Sequence, residues 1–409
     1  MAKPQILTDQ ELESLTRPFQ KSEYSKDRAL ELALAGCIAM ITEPGDRMAG
    51  ALARCLGKLA LVELLIDGLE TRAVIEALQQ RGQLDSCRQS FGDLEGTLSD
   101  SRQRWLPRLS KSRLEHLFSQ SAALKLKLVT SEDANWPAGL DDLHDSVPSM
   151  IFTTGDQHAL SALNNAVSIV GSRTASPYGL QVTRRLVTEL AKASRATVSG
   201  GAIGIDAQVH STSLDSDLPT IAVMAGGLDR NYPKVNFPLF TRICEGGAVI
   251  SELPPGVAPT RWRFLQRNRL IAALTPTTVV IEAGIRSGSI RTANNALELN
   301  RQLFAIPGSI LAGTSLGTNG LIADGKAAVL SNLNSFATGK EEHSHHYGEG
   351  AFATRAIDAI RELGSGDTYQ VSKLAGLTDL ETKTALQELT KRGLIVQVNS
   401  DSFAKYAPA

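Results

Sequence analysis

The chain has 409 residues, 42% of them hydrophobic and 21% charged, with a formal net charge of −1. Its composition is ordinary for a globular protein, and its length exceeds what one ordinary core needs, so two or three domains are expected. Balanced charge excludes a global pull toward nucleic acid or membrane, and any polyanion site has to be a local patch.

In chain order, the N-terminus "MAKPQILTDQELESL" has no apolar signal core and no apolar run approaches ~18 residues, so neither export nor a membrane span is expected and the chain is placed in the cytoplasm. Cys37, Cys55, Cys87 and Cys244 are scattered without C-x-x-C spacing and read as reduced thiols. Residues 1–130 read as a small helical packing or interaction domain. "DRALELALAGCIAMI" and "RMAGALARCLGKLALVELLIDGL" are Ala/Leu-rich around the Pro44-Gly45 break, and "SKSRLEHLFSQSAALKL" is another helix.

The pattern changes after Trp136-Pro137. "AVSIVG" (166–171), "ATVSGG" (196–201), "TIAVMAGG" (220–227), "GAVISE" (247–252), "TTVVIEAG" (277–284) and "QLFAIPG" (302–308) are short apolar runs ending in small residues, separated by helix-length spacers. This predicts parallel strands with crossover helices, an open doubly wound α/β sheet covered on both faces. The polar stretch "ATGKEEHSHHYGEGA" follows as a linker. Its His343, His345 and His346 have no supporting cysteine or carboxylate cage, so they read as solvated rather than metal-binding. Beyond it, a helix, a short helix, a turn at Gly376, a longer helix and a β-hairpin give the winged helix-turn-helix order.

Ligands of an open α/β sheet bind beyond the carboxyl ends of its strands. The first predicted strand runs into "GSRTASPYG", which is not a dinucleotide fingerprint. Gly171 permits a tight turn, Ser172 lies where a helix begins, and Arg173 adds a fork of donors for phosphate. The second strand ends in "SGGAIGID", where Gly200 and Gly201 allow close backbone approach and Asp206 is either a helix cap or a ligand contact. The fifth ends in "EAGIRSGSIRTA", where Ser287, Gly288 and Ser289 open a helix between Arg286 and Arg291. Three such loops on one rim point to an anion site. The stretch "TRWRFLQRNRLIAAL" (260–274) leads to the same rim with Arg261, Arg263, Arg267 and Arg269 and no acid. Arginines neutralise successive phosphates, and an interleaved ring such as Phe264 stacks on an unpaired base for about 1–3 kcal/mol. Trp262 either joins it or covers the sheet edge. No G-x-S-x-G elbow and no paired-carboxylate constellation is visible in these loops. Glu282 is the one strong acid candidate at a strand end, and binding is favoured over catalysis.

The blocks "VGSRTASPYG", "SGGAIGID", "GLDRNYP", "SELPPG", "FLQRNRLIAAL", "VVIEAGIRSGSIRTA", "FAIPG" and "GTNGLIADG", in this order, closely resemble the DNA-processing protein A family, DprA/Smf. The resemblance implies an extended Rossmann domain over 131–338, a SAM-like helical region over 1–130, a linker over 339–351 and a winged helix over 352–409. It further implies single-stranded DNA binding, homodimerisation and loading of the RecA recombinase onto incoming DNA in natural transformation, with no cofactor. The family's basic pocket carries over to Ser172 and Arg173, the backbone at Gly200 and Gly201, Arg263, Phe264, Arg267, Asn268, Arg269, and Arg286 to Ser289. Leu265 stands where members often have proline, Gly201-Ala202 where Leu-Ala is commoner, and Ile203 where a basic residue is frequent. The rival readings are a LOG-type nucleotide phosphoribohydrolase and a nucleotide-sensing or protein-docking module. The first needs a glutamate where Thr292 falls, and threonine is no carboxylate base.

Overall fold

The structure is a computed structural model that describes residues 7–20, 24–230, 232–339, 347–391, 393–400 and 403–408. The three linker histidines lie outside the described residues. The chain divides into two compact units, Met1–Thr338 and Gly339–Ala409.

In the first unit, the six apolar runs fold as strands β3 (Val167–Val170), β4 (Thr197–Ser199), β5 (Thr220–Val223), β6 (Gly247–Ser251), β7 (Thr277–Val280) and β8 (Gln302–Ala305). Three strands join them that the sequence pattern does not announce: β1 (Lys127–Val129), β2 (Ile151–Gly155) and β9 (Ala328–Val329). The last is only two residues and exposed, and β1 is three residues at the opposite edge, too short to show a period. The sheet order is β1-β2-β6-β5-β4-β3-β7-β8-β9. All neighbours from β6 to β9 are parallel, while β2 runs antiparallel to β6 and β1 antiparallel to β2. The run β5-β4-β3-β7-β8-β9 has the strand order of a dinucleotide-binding sheet, so the fold is Rossmann-like and its order reverses between β3 and β7.

The strands are apolar throughout because both faces are buried, and alternate residues feed different cores. Val167, Ile169 and Val279 pack with Leu186, Leu190 and Val209 of the helices on one face. Val170, Val198, Val223 and Val280 pack with Leu270, Ile271 and Ala293 on the other. The N-terminal segment is helical, as expected, and builds a core around Leu32, Leu52, Leu65, Trp105 and Phe118. That core also takes in Leu128 of β1 and Phe152 of β2, so the antiparallel edge of the sheet belongs to the helical layer as much as to the sheet.

The second unit contains helices Tyr347–Leu363, Thr368–Ala375 and Asp379–Lys391 and strands β10 (Gly366–Asp367), β11 (Ile395–Ser400) and β12 (Phe403–Pro408), paired antiparallel in the order β10-β12-β11. Ala356, Ile360, Val371, Leu386 and Leu389 form its core. Among the described residues no helix is long and apolar enough to cross a membrane.

Helix Arg47–Leu56 meets the sheet layer through a glycine. A Cβ on Gly50 would lie 1.9 Å from the Asp145 carbonyl oxygen, and one turn on Arg54 donates to Asp145 Oδ1 through Nε at 3.0 Å and Nη2 at 2.7 Å. Alanine inside a helix normally gains about 1 kcal/mol over glycine, but no rotamer change relieves a clash with backbone. Gly50→Ala is therefore expected to destabilise by roughly 1–3 kcal/mol, seen as a lower thermal midpoint. A raised midpoint would mean that helix propensity outweighs this contact.

Candidate nucleic-acid interface

The loops after β3, β4 and β7 meet where the strand order reverses, and specific bonds hold them together. Ser176 caps helix Pro177–Lys192 by accepting from the Gly179 amide, and Thr174 N donates to Ser172 Oγ at 3.1 Å. Gly204 takes φ +83°, and a Cβ there would stand 2.3 Å from the Ser172 carbonyl oxygen. The same carbonyl accepts from Ile205 N at 3.1 Å, so the second loop is seated on the first. Ser287 caps helix Gly288–Glu298, and Ser289 Oγ donates to the Gly171 carbonyl at 2.8 Å, which ties the third loop to the first. Helix Arg261–Ala273, capped by Thr260, closes the site, with Asn268 Nδ2 donating to the Gly288 carbonyl at 3.1 Å.

A groove of about 630 Å³ lies among these elements, lined among others by Ser172, Arg173, Arg261, Phe264, Arg286 and Ser287. Arg173, Arg261 and Arg286 are exposed and Phe264 is half-buried. The Phe264 ring lies 5.1 Å from the Arg173 guanidinium carbon and 5.7 Å from that of Arg267, with the Tyr232 ring tilted against it at 5.5 Å. Guanidinium groups over a ring face hold it in orientation while leaving charge at the rim.

Not every predicted contact residue reaches the groove. Arg267 is buried, donating to the Gly200 carbonyl at 2.6 Å and to the Val223 carbonyl, and its guanidinium forms part of the groove's floor. Arg263 donates to both oxygens of Glu43, at 3.0 and 2.9 Å, and to the Ala258 carbonyl at 2.7 Å. Arg269 is buried and donates to both oxygens of Glu252. The expectation that these arginines and Arg261 face one ligand is corrected for a simple reason. They lie on one helix, where successive residues turn by about 100°, so Arg261, Arg269 and the Arg263–Arg267 pair lie on three different sides, and within that pair Arg263 is taken up by Glu43 and Arg267 by the strand-end carbonyls. Gly200 and Gly201 are corrected likewise: both are buried, and the Gly201 carbonyl accepts from Asn236 Nδ2 at 3.0 Å. Arg261 stands outside the pocket that the resemblance carries over, although its place at the start of the helix leaves it exposed in the groove. Tyr232 escapes the sequence reading too, and only its aromatic character within "GLDRNYP" signals it.

Both acids near the rim are engaged. Glu282 is buried and accepts from Ser176 N at 2.9 Å and from Ser176 Oγ, bracing the turn before helix Pro177–Lys192. Asp206 accepts from Ala202 N at 3.3 Å, and burial pushes its carboxyl up against the pull of the Arg267 charge. Burial draws Arg267 down to about 10, with Asp206 opposing the fall, so the guanidinium keeps its charge at neutral pH.

A model of the family described as DNA recombination-mediator protein A matches residues 127–339. The chain belongs to this family. The match begins at β1 and ends with the first unit, so it covers the nine-stranded sheet and its groove. The Streptococcus pneumoniae relative, named DNA processing protein DprA, is 38% identical over 205 residues, 50% of this chain and 71% of that protein. A Mycobacterium tuberculosis relative is 38% identical over 213 residues, and there the match spans 50% of this chain and 55% of the relative. The X-ray structure of the Streptococcus pneumoniae family member superposes with a TM-score of 0.57 at 27% identity, covering 79% of this chain and all of that one. That is more of the chain than the family match takes in.

Two outcomes are expected. Arg267→Ala strands the Gly200 and Val223 carbonyls, each at a cost of about 1–3 kcal/mol, and should lower the denaturant midpoint; the exposed Arg173→Ala should not. Equal midpoints would mean that the buried guanidinium does not hold the helix. His210 is fully buried with Nδ1 2.8 Å from Thr220 Oγ1, and burial, then the Arg267 charge, lowers its pKa from 6.5 to about 3. The unfolded chain takes up this proton below 6.5 and the folded chain does not until about 3. The stability is thus full above the unfolded value and is lost as pH falls through this window, by up to about 1.4 kcal/mol per pH unit. The denaturant midpoint of His210→Gln should fall less between about pH 7 and about pH 5 than that of the parent chain. Parallel falls would exonerate the histidine.

Proposed function

We propose that this chain binds single-stranded DNA in the groove at the sheet's switch point, protects incoming strands and loads the RecA recombinase onto them in natural transformation and recombination, acting as a cytoplasmic homodimer. The observation that carries the reading is the Phe264 ring, half-buried in the groove wall and held between guanidiniums, with exposed Arg173, Arg261 and Arg286 lining the same groove. Exposed arginines attract a phosphate backbone, and a ring face attracts a base only where the base is unpaired. Ser172, Ser287 and Ser289 belong to the loops that shape this phosphate path, with Arg267 and Asn268 as its floor, the Gly200 carbonyl holding Arg267 in place from behind, and Arg263 and Arg269 as anchors of the helix that bears Phe264. The description of the family as recombination mediators supports the role. The groove acts by binding without turnover, since Glu282 is tied to Ser176 and Thr292 stands where a phosphoribohydrolase would need its glutamate.

Under this reading residues 1–130 are a SAM-like region, 131–338 an extended Rossmann domain, and 352–409 a winged helix joined by the linker 339–351. The winged helix serves protein contact more than DNA reading. Lys383 in its long helix is paired with Asp379 at 2.7 Å, whereas a DNA recognition helix carries free surplus positive charge.

The test is a salt titration of binding to oligo-dT beside a duplex of equal length. Preference for the single strand is expected, and it should survive removal of the chain from Gly339 onward. Arg173→Ala should weaken binding whatever the base sequence and reduce the salt slope by about one. Equal affinity for a blunt duplex would sink the reading.

A further inference from the structure

The helix that carries Phe264 also carries a second ring with no structural task. Trp262, in its first turn, is 58% exposed. The chain's other indoles are engaged: Trp105 is buried with Nε1 donating to Asp46 at 2.9 Å, and Trp136 Nε1 donates to Asp141 at 2.9 Å. Among the described residues no ring or guanidinium covers Trp262.

We infer that Trp262 is a second stacking platform, taking an unpaired base of the same strand as it leaves the groove past Arg261. The inference rests on the single-strand reading of that groove. Trp262 is continuous with it: Arg261, the preceding residue, and Leu265, three residues on, both line the groove. Residues three apart on a helix are surface neighbours, so apolar surface runs from the groove past half-exposed Leu265 to Trp262. Arg261 then stands between the two rings, Phe264 and Trp262, where the phosphate linking their bases would lie, as alternation of rings and cations in a single-strand path requires. Three exposed arginines in the adjoining groove, Arg173, Arg261 and Arg286, favour a polyanion as the occupant. An isolated exposed leucine needs no explanation, but an indole more than half exposed beside an arginine at the rim of a binding groove is placed to be covered by a ligand.

Fluorescence of the full chain tests this, because Trp262 is the exposed indole among the three. Oligo-dT of about four nucleotides, enough for the groove, is compared with one of about twelve. The longer strand should quench tryptophan emission, and W262F should abolish most of that quench while holding affinity within about threefold, since phenylalanine keeps a stacking face. W262A should weaken binding of the longer strand roughly tenfold and leave the shorter nearly unchanged. Quenching that persists in W262F, undiminished long-strand affinity in W262A, or a change in association state without a change in DNA affinity would each overturn the inference. In those cases the parent chain still binds oligo-dT, and only the second platform is lost. If the parent chain does not bind oligo-dT at all, the groove reading falls and takes this one with it.

Discussion

The groove depends on one buried guanidinium. Arg267 joins helix Arg261–Ala273 to the carbonyl ends of β4 and β5 through Gly200 and Val223. Burying a charge is costly unless its hydrogen bonds are met, and here two carbonyls, the nearby Asp206 carboxyl and the Phe264 ring face meet it. Because the bonds are directional, they determine how the helix lies over the strand ends. Phe264, Arg261 and Leu265 then project into the groove from a support that cannot shift without stranding those carbonyls. The same arrangement explains why the loops must be so tightly seated. Gly204 packs against Ser172, and Ser289 reaches Gly171, so all three strand ends are locked to each other beneath the helix that closes over them.

Helical geometry divides the labour among the remaining arginines. Arg263 is directed to Glu43 in the N-terminal helical layer, and Arg269 to Glu252 just beyond β6. These pairs fasten the helix on its far sides, while the groove side keeps cations that form no ion pair among the described residues. Exposed ion pairs contribute little, but Arg263 is only 19% exposed and Arg269 9%, where loss of one partner leaves a charge uncompensated. The cationic character of the groove therefore comes from three different segments, through Arg173, Arg261 and Arg286, rather than from the one arginine-rich stretch.

The helical layer contributes to this site at a distance. Its core extends into β1 and β2, and Arg28 donates to Thr130 Oγ1 at 2.8 Å and to Asp133 Oδ2 at 2.6 Å on the chain that leaves β1. Glu43, between two of its helices, receives Arg263. The sheet edge and the groove helix are thus both anchored to the same layer, which gives the N-terminal region a physical part in shaping the groove.

The sequence by itself determined the elements and the rim. Period and composition are local properties, so six strands, the helices between them and the loops at Gly171, Gly200 and Ser287 are legible from the residue pattern alone, and so is the resemblance carried by eight ordered blocks. The helix–turn–helix–hairpin order of the second unit is legible for the same reason, with Gly376 in the left-handed region at φ +60° ending the short helix. What only the tertiary structure decided is which side chains are left over for a ligand. Arg263 reads as free until Glu43, 220 positions earlier, is folded against it. Glu282 reads as an acid at a strand end until Ser176 takes both of its oxygens. Strands β1 and β9 gain their hydrogen bonds from partners elsewhere in the chain, and no pattern within two or three residues can encode that. Local spacing sets where a residue stands on its own element. Whether its charge is spent inside the protein or offered to solvent depends on the residue that long-range packing brings to meet it.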